Sequence, residues 1–266
     1  MGELLSFGIM QRALACGVLV GFVAGYFGVF VVQRRMAFLG SGLAHAAFGG
    51  IALGILASVP PIYAAIPFTV IVAIAIVWVR ERSALAEDTS IGVLFSVSMA
   101  LGVVFIALKK GFAGDALAYL FGSIVAVSAA DVWLALAMAG ATIATVPLWG
   151  AWAYAAFDRN LARTDRLPAA AHDYALAVAM AVAIVVSIKI VGILLISAFL
   201  VLPAAAARMM SRSFRQMTVL SILIGTTTPA VGLYASYVTD LPSGATIILI
   251  QAAVFAAALG ARRPAA

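Results

Sequence analysis

Long apolar runs follow one another along the chain, and short stretches that hold most of the charged residues separate them. A helix needs about 20 apolar residues to cross roughly 30 Å of hydrocarbon, and most of the runs meet or approach that length. The pattern therefore predicts about nine transmembrane helices, with roughly eight to ten as the range. The predicted spans are 13–33, 36–57, 62–79, 91–108, 132–157, 174–188, 190–207, 217–238 and 245–261.

Two stretches depart from this regular pattern. The segment 116–127 is too short to cross a bilayer, and Gly-Phe-Ala-Gly-Asp and Ser-Ala-Ala-Asp flank it, so we predict a re-entrant or interfacial helix there. Residues 174–207 are interrupted only by Lys189 and Gly192. Two short spans and one long broken span are both consistent with that stretch.

The composition indicates that lipid is the main solvent of the chain. Of its 266 residues, 65% are hydrophobic and only 10% are charged, whereas a soluble domain carries about 25% charged residues. Too few polar side chains are present to cover a water-facing surface, so we predict an all-α polytopic membrane protein. No polar linker divides the chain, which favours a single transmembrane domain over residues 1–266. The lone Cys16 lies in an apolar run and is interpreted as a packing residue.

The basic residues indicate orientation rather than nucleic-acid binding, although the net charge is +6. They lie in short clusters between apolar runs, and basic residues favour the cytoplasmic side of a membrane protein. With the N-terminus outside and the C-terminus inside, twelve basic residues fall on the cytoplasmic side and four on the outer side. The same count supports an odd number of spans. The twelve are Arg34, Arg35, Arg80, Arg82, Arg159, Arg163, Arg166, Arg208, Arg212, Arg215, Arg262 and Arg263, and the four are Arg12, Lys109, Lys110 and Lys189.

His45 is the only clearly ionisable side chain between Arg35 and Arg80. It lies ten residues beyond Arg35, which at 1.5 Å per residue is about 15 Å and roughly the middle of the bilayer. Ionisable groups at that depth are costly and usually face the bundle interior or a water-filled path. Two interpretations remain open. One is a neutral histidine that donates a hydrogen bond to a neighbouring helix; the other is a ligand or gate for a metal ion, since neutral imidazole binds zinc, copper, iron and nickel.

The helix around His45 has two further features. Ser41 lies one turn earlier on the same face and offers a hydroxyl, a weak metal ligand that suits an ion which must leave again. A ridge of small residues on the same helix lets another helix approach closely. A closely packed helix with one histidine beside its contact ridge suggests part of a translocation path. The ridge residues are Gly42, Ala46, Gly50 and Gly54.

Acidic residues near the span ends are weaker candidates. Asp88 precedes the fourth span, where it or Thr89 is predicted to cap the helix. Asp240 begins an outer turn before the last helix, where capping is the default interpretation and a role in ion uptake is the alternative. His172 and Asp173 precede a span on the inner side, and we interpret them as solvated or capping residues.

Pro203 and the lysines bear on mechanism. Pro203 removes a backbone hydrogen bond from its helix and is predicted to kink it. None of the three lysines completes a GxxxxGK[ST] motif, so the chain has no P-loop. If transport is driven by ATP, another polypeptide must hydrolyse it. The chain itself is therefore predicted to be no enzyme and to hold no permanent cofactor.

Five stretches in register resemble the zinc, manganese and iron class of ABC importer permeases, and they extend over nearly the whole chain. The fourth of them is also similar to vitamin B12 and iron-siderophore permeases, in which such a segment leads into a cytoplasmic coupling helix. The five are RRMAFLGSGLAHAAFGGIALG (34–54), EDTSIGVLFS (87–96), LAYLFGSIVAVS (117–128), KIVGILLISAFLVLPAAAAR (189–208) and YVTDLPSGATIIL (237–249).

The resemblance implies an importer that moves a transition-metal ion into the cytoplasm, with zinc first and manganese or iron as alternatives. It also implies a homodimer in a bacterial or archaeal plasma membrane. The implied partners are two copies of a separate cytoplasmic ATPase, which bind the ATP, and an extracytoplasmic metal-binding protein that delivers the ion.

The resemblance also assigns residues. His45 matches the histidine of the family's Asp-x-x-x-His motif, and Ser41 stands where many members have the aspartate. The stretch 208–217 matches the coupling loop that contacts the ATPase. The predicted ATPase contacts in it are Arg208, Met209, Met210, Arg212, Phe214 and Arg215.

Other classes of membrane protein fit the sequence less well. A permease for a metal chelate shares the architecture but needs a wider path. A secondary transporter often shows inverted repeats and buried carboxylates, whereas every acidic residue here lies at or near a span end and no convincing repeat is present. An intramembrane enzyme needs a catalytic constellation, but HExxH and GxSxG motifs are absent, and one membrane histidine cannot supply a nucleophile, a base and an orienting group.

Overall fold

The computed structural model describes residues 8–83, 86–109, 119–120, 122 and 127–261. Helices and the turns between them account for the secondary structure of this described part. The helices are α1 (Gly8–Gln33), α2 (Ala37–Ala57), α3 (Pro61–Arg82), α4 (Glu87–Leu108), α5 (Ala129–Ala144), α6 (Trp149–Phe157), α7 (Arg159–Thr164), α8 (Ala169–Val191), α9 (Ile196–Met210), α10 (Phe214–Thr239) and α11 (Ser243–Ala261).

The predicted fold class, an all-α polytopic membrane protein, is confirmed. Eight stretches of the described chain are long and apolar enough to cross a membrane, and the stretch Ala129–Phe157, which contains α5 and α6, counts as one of them. Helix α9 has only 15 residues and is the ninth candidate crossing. Several helices extend beyond their apolar runs, because backbone hydrogen bonding continues into the polar end of a span. Helix α8, for example, begins at Ala169 rather than at the predicted residue 174.

The broken stretch 174–207 forms two helices rather than one. Gly192 ends α8 with φ 87°, a conformation that glycine adopts without steric cost. The backbone N–H of Ile193 donates to the Tyr119 carbonyl at 3.0 Å, and that of Leu194 donates to the Leu120 carbonyl at 3.2 Å. These bonds satisfy backbone groups at a point where the helical ladder stops, as a lipid environment requires. Most of the predicted short helix at 116–127 lies outside the described residues.

The packing divides the bundle into two sides. Helix α2 packs against α3 and α4, whereas α1 packs against α10, α9 and α5, and α8 lies against α3 and α1. Helices α1 and α10 approach closely because small residues face each other there: the Ser221 hydroxyl donates to the Gly25 carbonyl at 2.7 Å. An ion pair of 2.6 Å between Lys189 and Asp131 ties the end of α8 to the start of α5. The candidate site residues lie within α2, whereas the predicted ATPase contacts lie at the end of α9 and the start of α10, and α9 also packs against α2.

Candidate functional site

Helix α2 carries the two principal site residues and is tightly packed along its small-residue ridge. A Cβ atom added at Gly50 would lie 2.6 Å from the Cα atom of Ala65 in α3, so only glycine fits at that contact. Gly42, Ala46 and Gly54 are also buried on this ridge. The packing fixes the height and rotation of α2, and with it the position of the polar side chains on its adjacent stripe.

The imidazole of His45 is half-buried and is held by its own helix. Its Nδ1 atom lies 2.8 Å from the carbonyl oxygen of Ser41, and because a carbonyl only accepts hydrogen bonds, Nδ1 carries the proton. In the neutral ring, Nε2 then keeps its lone pair, which is the form of imidazole that binds a metal. The ring of Phe95 from α4 packs edge-on, with 5.4 Å between the ring centroids.

The hydroxyl oxygen of Ser41 is a second candidate metal ligand beside His45, but it forms no strong hydrogen bond with the imidazole. Its Oγ atom lies 3.5 Å from His45 Nδ1, which is too long for a strong hydrogen bond. Within the described part of the chain, no three side chains of His, Cys, Asp or Glu converge as a metal site. Among the described residues, this position brings together one imidazole nitrogen and one hydroxyl oxygen.

Asp88 does not lie beside His45. Helix α4 begins at Glu87 with Ala86 at its N-cap position, so Asp88 lies inside the first turn and the predicted capping role is wrong. A carboxylate in the first turn still interacts favourably with the helix dipole. Phe95, which contacts His45, comes seven residues after Asp88, about 10 Å further along the helix.

Asp240 and Pro203 also lie on other elements. Asp240 is exposed and ends α10 in a left-handed conformation with φ 54°, so it closes the preceding helix rather than opening α11, which begins at Ser243. Helix α9 continues through Pro203, whose missing N–H leaves one carbonyl of the previous turn without its helical donor.

A buried carboxylate cluster lies at the ends of four helices. Asp173, the fifth residue of α8, has a side chain only 2% exposed and is surrounded by three arginines. Its Oδ1 lies 2.5 Å from Arg34 Nη1, and its Oδ2 lies 2.7 Å from Arg80 Nη2 and 2.8 Å from Arg159 Nη2. Arg159 also pairs with Glu81 at 3.1 Å. The cluster thus joins α1, α3, α7 and α8.

The cluster has more donors than acceptors. Nε and Nη2 of Arg34 and Nε of Arg159 are buried without a hydrogen-bond partner. A cavity of about 10 Å³ lies beside Arg34, and Arg80 and Asp173 also line it. A space of that size is just large enough for one water molecule, which would accept a hydrogen bond from a free N–H group of Arg34.

This cluster was not predicted from the sequence. The sequence predicts a solvated or capping role for Asp173, and the burial of its side chain contradicts that prediction. One signal was available, because each of the three arginines follows or ends a predicted span on the same face of the membrane as Asp173. Spacing along the chain does not reveal that residues separated by 139 positions converge.

The predicted ATPase contacts begin where α9 ends and differ in exposure. Nη1 of Arg208 lies 3.3 Å from the carbonyl of Val32 and 3.3 Å from the side-chain oxygen of Gln33, so this segment touches the end of α1. Met210 is 53% exposed, and Arg212 is exposed as well. These two side chains are free to meet a partner.

Phe214 faces the protein rather than solvent. Its ring packs against three others, with centroid distances of 5.7 Å to Phe30, 5.3 Å to Trp149 and 5.6 Å to Phe157. Met209 is half-buried. Of the apolar side chains in the segment, Met210 is therefore the one that presents most surface.

The sequence and the fold resemble those of known membrane transport proteins. The sequence matches the ABC 3 transport family over residues 6–261. It is 32% identical to the manganese transport system membrane protein MntC of Halalkalibacterium halodurans, over 96% of this chain and 88% of that protein. It is 30% identical to the high-affinity zinc uptake system membrane protein ZnuB of Haemophilus influenzae, over 95% of this chain and 97% of that protein.

A solved structure has the same fold. PsaBC from Streptococcus pneumoniae in complex with Fab contains a chain that superposes with a TM-score of 0.86 at 30% sequence identity. The match covers 97% of this chain and 93% of that chain.

Proposed function

The chain belongs to the ABC 3 transport family, and from this premise we propose that it imports zinc across a plasma membrane. As a member of the family it is the permease subunit of an ABC metal transporter, and it is not itself catalytic: ATP hydrolysis belongs to a separate subunit. The absence of a P-loop from the sequence agrees with that division of labour.

The candidate metal ligands at His45 and Ser41 favour zinc over manganese. Imidazole nitrogen suits zinc, whereas manganese prefers carboxylate and carbonyl oxygens. In the described part of the chain, the one imidazole on α2 has an oriented Nε2, and the nearest residue in the preceding turn is Ser41 rather than a carboxylate. A site without a carboxylate discriminates against the harder ion.

Manganese is the second candidate, and several relatives are named for its transport. The protein of Halalkalibacterium halodurans is named for manganese transport, and so are permeases of Listeria innocua and Streptococcus gordonii that are 31% and 30% identical to this chain. The zinc-named relative of Haemophilus influenzae is equally close. The names therefore support a divalent metal ion, and the residues at the site support zinc.

We further propose that two copies of the chain form the ion path together. One copy supplies a single imidazole and a hydroxyl, and zinc is usually bound by four ligands. Helix α2 of a second copy would add another imidazole and another hydroxyl, which gives four candidate ligands. Helix α4, which packs beside α2, presents an apolar outer face that a second copy can cover, with Val93, Val97 and Val104 each at least half exposed.

The proposed partners follow from the same assembly. A cytoplasmic ATPase binds at the segment that contains Met210 and Arg212, and an extracytoplasmic protein delivers the ion at the opposite face. The family's division between a permease subunit and a separate ATPase supports a partner subunit here.

Uptake of radiolabelled metal tests the cargo. The chain is expressed with its ATPase and binding protein in a bacterium that lacks its own zinc and manganese importers. We expect ATP-dependent zinc uptake that excess manganese does not inhibit. Manganese uptake that excess zinc leaves unchanged would establish the second candidate, and uptake that persists without the ATPase would refute the ABC mechanism.

A further inference from the structure

An open groove of about 300 Å³ lies between α1, the break that separates α5 from α6, and the first turns of α10. Its volume is at the lower end of the range of small-molecule sites. Most of the wall is aromatic or aliphatic, and one charged side chain stands among the lining residues. The lining consists of Phe22, Tyr26, Val146, Trp149, Arg215, Thr218, Val219 and Ile222.

The groove exists because the helical span Ala129–Phe157 is interrupted. A short 3-10 turn at Val146–Leu148 replaces a turn of α-helix, and Pro147 cannot donate the backbone hydrogen bond that would continue α5. Two polar groups of the wall are paired with each other, because the Trp149 indole N–H donates to Thr218 Oγ1 at 3.3 Å. Apart from Arg215 and the Tyr26 hydroxyl, which lies 3.5 Å from the Thr145 carbonyl, the surface that remains for a ligand is apolar.

One end of the groove is charged and the other lies deeper in the membrane. Arg215 is the second residue of α10, and Ile222 follows seven residues later, which is about 10 Å along the helix axis. By the distribution of basic residues, Arg215 lies at the cytoplasmic membrane surface. In the part of the chain that the structure describes, no carboxylate forms a salt bridge with Arg215.

We propose that this groove binds an anionic phospholipid of the inner leaflet. Its phosphate pairs with the guanidinium of Arg215, because arginine recognises phosphate through two parallel hydrogen bonds. One acyl chain follows the aromatic and aliphatic wall past Val219 toward Ile222. This surface faces lipid. The guanidinium of Arg215 lies at the depth of lipid headgroups, and the apolar wall lies at the depth of acyl chains.

The lipid site goes beyond the proposed import function and does not depend on the cargo. Trp149 forms part of the wall and also packs against Phe214 at 5.3 Å. Phe214 is the first residue of α10 and is itself one of the predicted ATPase contacts. A bound lipid would therefore support the start of α10 through Trp149, and we assign Arg215 to the lipid rather than to the ATPase.

Lipid retention measured by native mass spectrometry tests the site. The full-length chain is purified in a mild non-ionic detergent and exposed to phosphatidylglycerol or to phosphatidylcholine with the same acyl chains. We expect retained phosphatidylglycerol. Arg215→Gln should weaken its retention about fivefold, since one basic residue at an anionic surface contributes about that factor. Val219→Trp fills the groove from a position that is 51% exposed and should abolish retention.

Two matched variants serve as controls. Arg166→Gln removes an exposed positive charge from the same side of the membrane, and Val231→Trp adds the same ring to an exposed position of α10 outside the groove. Both should retain phosphatidylglycerol like the wild type. Equal retention of the two lipids, or retention that Val219→Trp leaves unchanged, would overturn the proposal. Since none of these readouts involves metal uptake, a failure here leaves the import function untouched.

Discussion

The Nδ1 atom of His45 lies 2.8 Å from the carbonyl of Ser41 in the preceding turn. Residue spacing predicted that these two residues share a helix face, and the structure places them so. What spacing could not predict is that the backbone carbonyl, rather than the hydroxyl, holds the ring. That choice depends on the rotamer, which in turn depends on Phe95 from another helix.

Replacement of His45 tests whether its nitrogen binds the ion. His45→Ala removes the imidazole of the site, and we expect metal uptake to fall by about 100-fold or more. Removal of residues that only support a metal ligand already costs about 10- to 100-fold. His45→Gln retains hydrogen-bonding capacity but is a poor ligand, so it should fail as well. Wild-type uptake by His45→Gln, measured with normal assembly of the complex, would leave only a packing role for the histidine.

Replacement of Ser41 tests the selectivity argument. Ser41→Asp places a carboxylate one turn before His45 and should raise the affinity for manganese relative to zinc, because carboxylate oxygen suits the harder ion. If release becomes slow, turnover should fall while binding tightens. Ser41→Asn has the same shape without the charge and serves as the control. Competition between the two metals during uptake measures the change, and equal selectivity of the two variants would contradict it.

Among the helices, the arginine cluster around Asp173 links elements that are distant in sequence. Replacing a whole buried ionic group with apolar residues of similar volume often leaves the stability of a protein unchanged, whereas removing one member of the group is costly. The cluster contains fewer hydrogen-bond acceptors than donors, because several arginine N–H groups already lack an acceptor.

Removal of the Asp173 charge should therefore destabilise the protein strongly. Asp173→Asn leaves three arginines facing each other, and the loss of one member of a buried ionic group costs about 3–5 kcal/mol. We expect a clear fall in the midpoint temperature of unfolding in detergent. Asp88→Asn, an exposed position at the start of α4, should change it little. Equal midpoints for these two variants would show that the cluster contributes no net stability.

The coupling segment gives a prediction about the ATPase. Met210 is exposed while Phe214 is packed against three rings, so Met210→Asp should reduce co-purification of the ATPase without affecting membrane insertion. Phe214→Ala should act indirectly, by loosening the start of α10. Leu161→Asp alters another exposed apolar residue, on α7, and is the control. Unchanged association of Met210→Asp would favour simple anchoring of the segment at lipid headgroups.

For the molecule as a whole, the apolar runs predicted the fold class and placed the crossings to within a few residues. They succeeded because lipid obliges every span to be both helical and apolar. Because all spans share this apolar pattern, the pattern does not show which residues of different helices contact each other. The burial of Asp173 and the inward packing of Phe214 result from contacts among distant helices, which the arrangement of apolar runs does not predict.

The orientation of the molecule stays a prediction, with the N-terminus outside. Two exposed positions at opposite ends of α10 test it, because the native Cys16 is buried and should react little. A membrane-impermeant thiol reagent should label Asp240→Cys in intact cells and Arg212→Cys only after permeabilisation. The reverse pattern would invert the topology.

The shortness of α9 has a consequence for how the protein is made. At 1.5 Å per residue its 15 residues extend about 22 Å, less than the roughly 30 Å of hydrocarbon. A segment of that length is a poor candidate to leave the translocon sideways as an independent unit. The turn at Gly192 joins α9 directly to α8, a helix of 23 residues that are mostly apolar. We therefore expect ribosome-bound chains to hold α8 at the translocon until α9 has been synthesised, so that the two helices enter the bilayer as a hairpin.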